Sequence, residues 1–152
     1  VQVWSNKKRT PKNIGYYYGF DGFHNSLKNT SCLISLLPST SATQNLLGLT
    51  EFNLLNKDCY FINAGRGLTV NEEELIYALK NKILIGAILD VFTKEPLDAD
   101  NPLWALDNVY ITPHIAGITN ATDYASKLLR NNFELLYKNK KLINKVSKTK
   151  GY

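Results

Sequence analysis

The chain has 152 residues, a formal charge of +5, and hydrophobic and charged shares of 44% and 20%, enough to bury one core in a globular domain. Its positive charge is mostly scattered lysine, concentrated at Lys7-Lys8-Arg9 and from Lys138 to Lys150, with no aromatic-interleaved or zinc-finger pattern, so nucleic acid is not an expected partner. No apolar run approaches the roughly 20 residues that span a bilayer and no signal peptide opens the chain, so no membrane contact is expected.

Cys32 and Cys59 stand in predicted buried strands without a second cysteine or histidine at metal spacing. They read as small core hydrophobes in a reducing compartment, with the cytoplasm as the expected location and no metal site. The chain contains no methionine and opens directly on an apolar strand. It is therefore expected to be the carboxyl-terminal part of a longer protein.

Val1 to Trp4 is the first predicted strand, followed by Ser5-Asn6-Lys7-Lys8-Arg9 with no acidic residue before Asp21. Pro11 to Phe20 reads as a glycine- and tyrosine-rich loop. Gly15, Gly19 and Gly22 do not have G-x-G-x-x-G spacing. His24 falls on a short helix, as a packing or surface residue. Cys32 to Leu37, ended by Pro38, is the pattern of a central parallel strand buried on both faces. Thr43 is expected to cap a helical stretch from Gln44 to Leu47, and Thr50 a second one through Leu55. Cys59 to Ile62 is the next strand. Asn71 then caps a helix whose first turn carries Glu72, Glu73 and Glu74, a placement that suits the positive end of the helix dipole and makes the glutamates structural. Ile83 to Val91 and Val109 to Ile111 are further apolar strands, with Leu103 to Leu106 between them as a short lid. From Ala116 a long helical pattern carries Ala121, Tyr124, Leu128, Leu129, Phe133 and Leu136 at helical spacing. Alternating strands and helices of this kind predict a parallel α/β sheet.

Three islands follow three of these strands: Asn63-Ala64-Gly65-Arg66-Gly67, Leu89 to Leu97, and Thr112 to Gly117. Residues just beyond the carboxyl ends of parallel strands line the edge where such sheets bind ligands. Arginine occurs only at positions 9, 66 and 130 and histidine only at 24 and 114. An arginine between glycines in a lysine-using chain points to the planar fork that grips a carboxylate. Arg66, Glu95 and His114 together form a set able to reduce a 2-oxo acid. The arginine fixes the carboxylate and polarises the carbonyl, the imidazole supplies a proton, and the glutamate orients the ring. The hydride must come from a nicotinamide, since no side chain can give one. Taken singly, each residue has a plainer explanation as an ion-pair partner, a turn residue or a capped histidine.

The sequence resembles the D-isomer-specific 2-hydroxyacid dehydrogenases, and within them the glyoxylate/hydroxypyruvate reductase branch. Leu37-Pro38-Ser39-Thr40 with Thr43 is similar to the family's L-P-x-T-x-x-T, Asn63 to Gly67 to its N-x-x-R-G, Leu89 to Leu97 to its L-D-V-F-x-x-E-P-L, Asn101 to Trp104 to its x-P-L-W, and Thr112 to Gly117 to its T-P-H-x-A-x. Lys150-Gly151-Tyr152 is similar to the end of that branch.

The resemblance implies an α/β fold, a Rossmann-like parallel sheet flanked by helices and incomplete on its N-terminal side. Residues 1–138 would be a partial NAD(P)-binding domain and 139–152 a tail. It implies Arg66 as the substrate arginine, Glu95 as the histidine's partner and His114 as the acid/base. Cofactor contacts are expected from Leu37 and Pro38 on the adenosine side, and from Ala64, Gly65, Arg66, Asp90, His114, Ala116 and Gly117 around the nicotinamide. An acidic residue after the first strand would suit the ribose of NAD, whereas Ser5 and Lys7 suit the extra phosphate of NADP. NADPH is thus the preferred cofactor and NAD the alternative. The family's glycine-rich phosphate turn has no counterpart here, so the 152 residues alone are expected to be inactive. The expected substrate is a small 2-oxo acid and the expected assembly a homodimer. The competing expectation is a non-catalytic nucleotide-sensing or dimerisation module on the same fold.

Overall fold

A computed structural model describes residues 1–9, 11–117 and 121–147. The chain divides into two units, Val1–His114 and Ile115–Tyr152.

Among the described residues the first unit has the strands β1 (Gln2–Ser5), β2 (Gly15–Tyr18), β3 (Cys32–Ser35), β4 (Tyr60–Asn63), β5 (Gly86–Leu89) and β6 (Val109–Ile111). Its helices are α1 (Gly19–Leu27), α2 (Leu49–Phe52) and α3 (Glu72–Lys80). All pairings are parallel, in a two-stranded sheet β1-β2 and a four-stranded sheet β3-β4-β5-β6. Helices flank them, as the alternation of elements predicts. The core gathers Phe23 and Leu27 of α1, Leu47, Phe52, Phe61, Leu75, Leu79, Leu84, Leu89 and Leu103. Packing these apolar side chains away from water is the main force closing the unit.

Several elements differ from expectation. Pro11 to Phe20 is not all loop, because Gly15–Tyr18 pairs in parallel with β1. Its run of three tyrosines has strand preference, and the flanking glycines concealed it. α1 packs on this small sheet through Phe23, whose ring lies 4.8 Å from that of Trp4, while the Trp4 indole donates to the Gly19 carbonyl.

Among the described residues β3 ends the four-stranded sheet. Cys32 is exposed and Ile34 is 57% exposed, so the apolar run is not buried on both faces. A cleft of about 1360 Å³ separates β1 from β3, lined by residues of β1 and by Cys32 to Leu37. Leu36 is likewise exposed, whereas Cys59 is fully buried.

Thr43 caps no helix. Its hydroxyl accepts from the Thr40 amide and donates to the Pro38 carbonyl, closing a turn in the Ser/Thr-rich stretch. The short α2 starts at Leu49, so Thr50 lies inside it. α3 begins as expected, with Asn71 Oδ1 accepting from the Glu74 amide at 3.2 Å. Two of the three first-turn glutamates reach beyond the helix: Glu74 accepts from the Leu49 amide, and Glu72 from the Thr93 amide and the Asn101 side chain. The expected lid is a short 3-10 helix, Pro102–Ala105, with Leu103 buried and Trp104 exposed.

The second unit contains α4 (Ala121–Tyr137), which begins later than the expected start at Ala116. Tyr124, Leu129, Phe133 and Leu136 are exposed on it. The Asn132 amide pairs with both backbone groups of Ile143, fastening the segment after the helix. Lys150-Gly151-Tyr152 lies outside the described residues. Among the described residues no helix is long and apolar enough to cross a membrane.

Candidate active site

The four-stranded sheet ends in register. Ser35 pairs with Asn63, Asn63 with Leu89, and Leu89 with Ile111. The ladder runs one step further, since the amides of Ala64, Asp90 and Thr112 donate to the carbonyls of Ser35, Asn63 and Leu89. The islands therefore leave the sheet side by side along one edge.

Arg66 is set by its neighbours' backbone. The buried Asn63 side chain accepts from the Gly65 amide at 3.2 Å and donates to the Arg66 carbonyl at 3.3 Å, and the Thr69 hydroxyl donates to the same carbonyl at 2.7 Å. Two glycines allow the approach. A Cβ on Gly65 would lie 2.7 Å from the Leu37 amide nitrogen and carbonyl oxygen, and one on Gly67 would lie 1.9 Å from the Phe92 carbonyl. The turn after β4 is thus wedged between the backbones that follow β3 and β5, a use only glycine permits. The Arg66 side chain is exposed, with one guanidinium nitrogen donating to the Gly65 carbonyl.

Glu95 sits in the loop after β5. One of its oxygens accepts from the Phe92 amide at 2.9 Å and the other pairs with Nδ1 of His114 at 2.7 Å. The hydrogen bond from His114 is the largest cause holding the Glu95 carboxyl below its usual range; the Phe92 amide and the charges of His114 and Arg66 add to it, while partial burial opposes it. The charges of Arg66 and His114 therefore both act on the Glu95 carboxyl. Because Nδ1 faces Glu95, Nε2 is the ring nitrogen turned away from it and able to exchange a proton.

His114 has φ of 54°, in the left-handed region where a non-glycine residue is uncommon. Its amide donates to the Thr112 carbonyl. That backbone turns the ring toward Glu95, and nothing in the sequence announced it.

Asp90 is only 4% exposed and accepts from the Thr112 hydroxyl at 2.5 Å. Leu37 and Pro38 follow β3, with Leu37 against Gly65 as described. Ala64 and Gly65 form the turn before Arg66. Ser5 and Lys7 lie far from these residues along the chain, on the turn after β1. The Ser5 hydroxyl contacts the Tyr16 phenol and the Lys7 backbone. Ala116 and Gly117 belong to the second unit, which begins at Ile115. Ser35, at the end of β3, was not anticipated: its hydroxyl is buried beside the cleft and, among the described residues, is the buried side-chain polar atom lacking a hydrogen-bond partner.

Residues 1–116 match the model of the D-isomer specific 2-hydroxyacid dehydrogenase NAD-binding domain. The chain belongs to this family. It is 36% identical over 152 residues to glyoxylate/hydroxypyruvate reductase A of Enterobacter sp. (strain 638), covering all of this chain and 48% of that protein. The chain thus spans about half the length of the curated relatives it matches. Among solved structures, a family member from Xanthobacter autotrophicus Py2 in complex with NADPH and MES superposes with a TM-score of 0.95 at 31% identity, covering 99% of this chain and 62% of that one. The NADPH-dependent glyoxylate/hydroxypyruvate reductase of Sinorhizobium meliloti, in complex with NADP and sulfate, gives 0.92 at 31% identity, covering 99% and 49%. The 2-hydroxyacid dehydrogenase sheet is therefore parallel and Rossmann-like, as the resemblance implies.

Proposed function

We propose that the protein is an NADPH-dependent reductase of a small 2-oxo acid, glyoxylate or hydroxypyruvate, with Arg66, Glu95 and His114 as its catalytic residues. The observation that supports this most directly is the 2.7 Å pair between His114 Nδ1 and Glu95, with the Arg66 charge close enough to act on the same carboxyl. The Arg66 fork grips the substrate carboxylate, and the same cation draws charge toward the developing alkoxide. Glu95 fixes the ring so that Nε2 delivers the proton to the carbonyl oxygen. Bound nicotinamide supplies the hydride.

Features of the chain suit that cofactor. Gly65 keeps the space against Leu37 clear of a side chain, Asp90 is buried at the sheet edge, and Ser35 offers an unpartnered hydroxyl beside the cleft. Ser5 and Lys7 would meet the phosphate that distinguishes NADP from NAD. The two free cysteines are in keeping with a reducing cytoplasm.

One more parallel strand between β1 and β3 would join the two sheets into the doubly wound order. The phosphate-binding turn of such folds follows that strand, so the 152 residues alone are expected not to turn over. The coverage of 48% of the reductase relative leaves a second reading, a nucleotide-sensing or dimerisation module without turnover.

Steady-state assay of the intact protein with glyoxylate and NADPH separates the two. His114→Ala should remove most turnover while NADPH affinity stays near wild type; ordinary turnover in that variant would take His114 out of the mechanism. Arg66→Lys should impair use of the 2-oxo acid far more than a retained charge predicts, and near-normal kinetics would contradict the fork.

A further inference from the structure

Glu72 opens α3, where a carboxylate at the positive end of the helix needs no further reason. Its two oxygens nonetheless leave the helix and reach across to the loop after β5. Oε2 accepts from the Thr93 amide at 3.2 Å, and Oε1 accepts from the Asn101 side-chain amide at 2.9 Å. Thr93 and Asn101 bracket the segment that contains Glu95. Asn101 in turn caps the 3-10 helix that follows, accepting from the Leu103 amide. One carboxylate therefore ties both ends of the loop to α3. The loop's own carboxylate, Glu95, holds the Phe92 amide with one oxygen and His114 with the other.

The tie reaches the arginine as well. Gly67, next to Arg66, abuts the Phe92–Thr93 backbone, and α3 begins a few residues later. Glu72 thus fastens the segment carrying Glu95 to the segment carrying Arg66. Its neighbour Glu73 has the same charge on the same helical turn but is exposed, which makes it a natural control.

We propose that Glu72 is a positioning residue, a clamp on the Thr93–Asn101 loop that holds Glu95 against Nδ1 of His114 and at a fixed spacing from Arg66. It rests on the reductase reading for its kinetic consequence, though not for its structural one. Small displacements of a catalytic group cost roughly 10- to 100-fold in rate, so the effect should be seen in turnover rather than in cofactor binding.

The test compares Glu72→Ala, Glu72→Gln and Glu73→Gln with wild type in the intact protein. Three measurements are made: amide exchange at Phe92 and Thr93, the Glu95 carboxyl titration by carbon NMR, and kinetics with glyoxylate and NADPH. The charged groups acting on Glu95 are His114 and Arg66, and neither is altered. In Glu72→Ala, exchange at both amides should quicken and the Glu95 titration should rise toward the ordinary carboxylate range. Turnover should fall roughly tenfold or more with KM for NADPH unchanged. Glu73→Gln should match wild type in all three.

A folded Glu72→Ala protein with wild-type Glu95 titration and exchange would overturn the clamp, as would an equal change in Glu73→Gln. If Glu72→Ala fails to fold, Glu72→Gln decides. Its carbonyl still accepts from Thr93 while its amide opposes that of Asn101, so a partial shift in the same direction is expected and an unshifted Glu95 refutes the clamp. Should His114→Ala retain full turnover, the reductase reading falls, and the titration and exchange still judge the clamp by themselves.

Discussion

Replacing Gly67 by alanine is the sharpest perturbation of the site that leaves its charges untouched. The added Cβ would stand 1.9 Å from both the carbon and the oxygen of the Phe92 carbonyl and 2.5 Å from the Thr93 nitrogen. That is roughly 1.6–2.1 Å short of ordinary carbon contact. The atoms met are backbone, so no side chain can swing away, and that backbone is pinned: the Phe92 amide by Glu95 and the Thr93 amide by Glu72. Relief requires the turn after β4 and the loop after β5 to separate, which moves the segment carrying Arg66 away from the segment carrying Glu95. Overpacking a tight site costs roughly 3 kcal/mol at its upper range. For a chain of this size that corresponds to a fall of roughly 10 °C in melting temperature. Gly15→Ala is the control, because its Cβ would meet Gln2 at 3.4 Å and the Val1 carbonyl at 3.8 Å, both ordinary contacts, and its midpoint should move by no more than about 0.5 kcal/mol. Urea and thermal unfolding measure the first effect, and turnover of the intact protein measures the second. Gly67→Ala melting with wild type, or retaining full turnover, would refute the claim that these two backbones are wedged together.

Thr112→Val removes the hydroxyl that donates to buried Asp90 and should destabilise the protein by about 1–3 kcal/mol in urea unfolding; an unchanged midpoint would mean that Asp90 needs no such donor. Burial pushes the Cys59 thiol up to about 11 whereas Cys32 is exposed, so an alkylating reagent near neutral pH should label the 152-residue chain quickly at Cys32 alone, and rapid labelling of Cys32→Ser would contradict this. The Glu95 carboxyl is lowered in the folded chain, so its stabilisation is present above the unfolded carboxylate value and is lost as pH falls through the lower folded one. Glu95→Gln should therefore flatten the acid limb of the stability curve, by less than about 1 kcal/mol because the pair is partly exposed, and an acid limb identical to wild type would argue against the pair.

The strands were legible where apolar runs met turn residues, and so were the three islands, because a parallel sheet places everything after its carboxyl ends on one edge. Asn71 was legible as a cap because its chemistry is local. What could not be read depends on neighbours distant in sequence. The Gly15–Tyr18 strand exists by pairing with β1, and its glycines and tyrosines look like a loop until the partner is known. The run from Cys32 to Leu37 reads as buried on both faces, yet burial is set by what lies beside a strand, and here a cleft does. Thr43 makes the hydrogen bonds of a turn from a composition that equally suits a helix start. The left-handed backbone of His114 and the reach of Glu72 arise from loop packing, for which spacing along the chain has no signature.

The two sheets carry different parts of the proposed site. Arg66, Glu95 and His114 follow β4, β5 and β6 and are held through Asn63, Gly67 and, from α3, Glu72. The basic turn after β1 hangs on the other sheet, fastened by Trp4 and Phe23 against α1 and by Ser5 against Tyr16. On the proposed reading, the reductase residues and the phosphate-contacting turn rest on separate supports across the cleft, and a strand seated in that cleft would set the distance between them. Because a β-strand's register is fixed to whole residues, that distance would be set as firmly as the sheet itself. Changes at Lys7 should then alter the choice between NADPH and NADH while leaving the pairing of Glu95 with His114 intact, and changes at Gly67 should do the reverse.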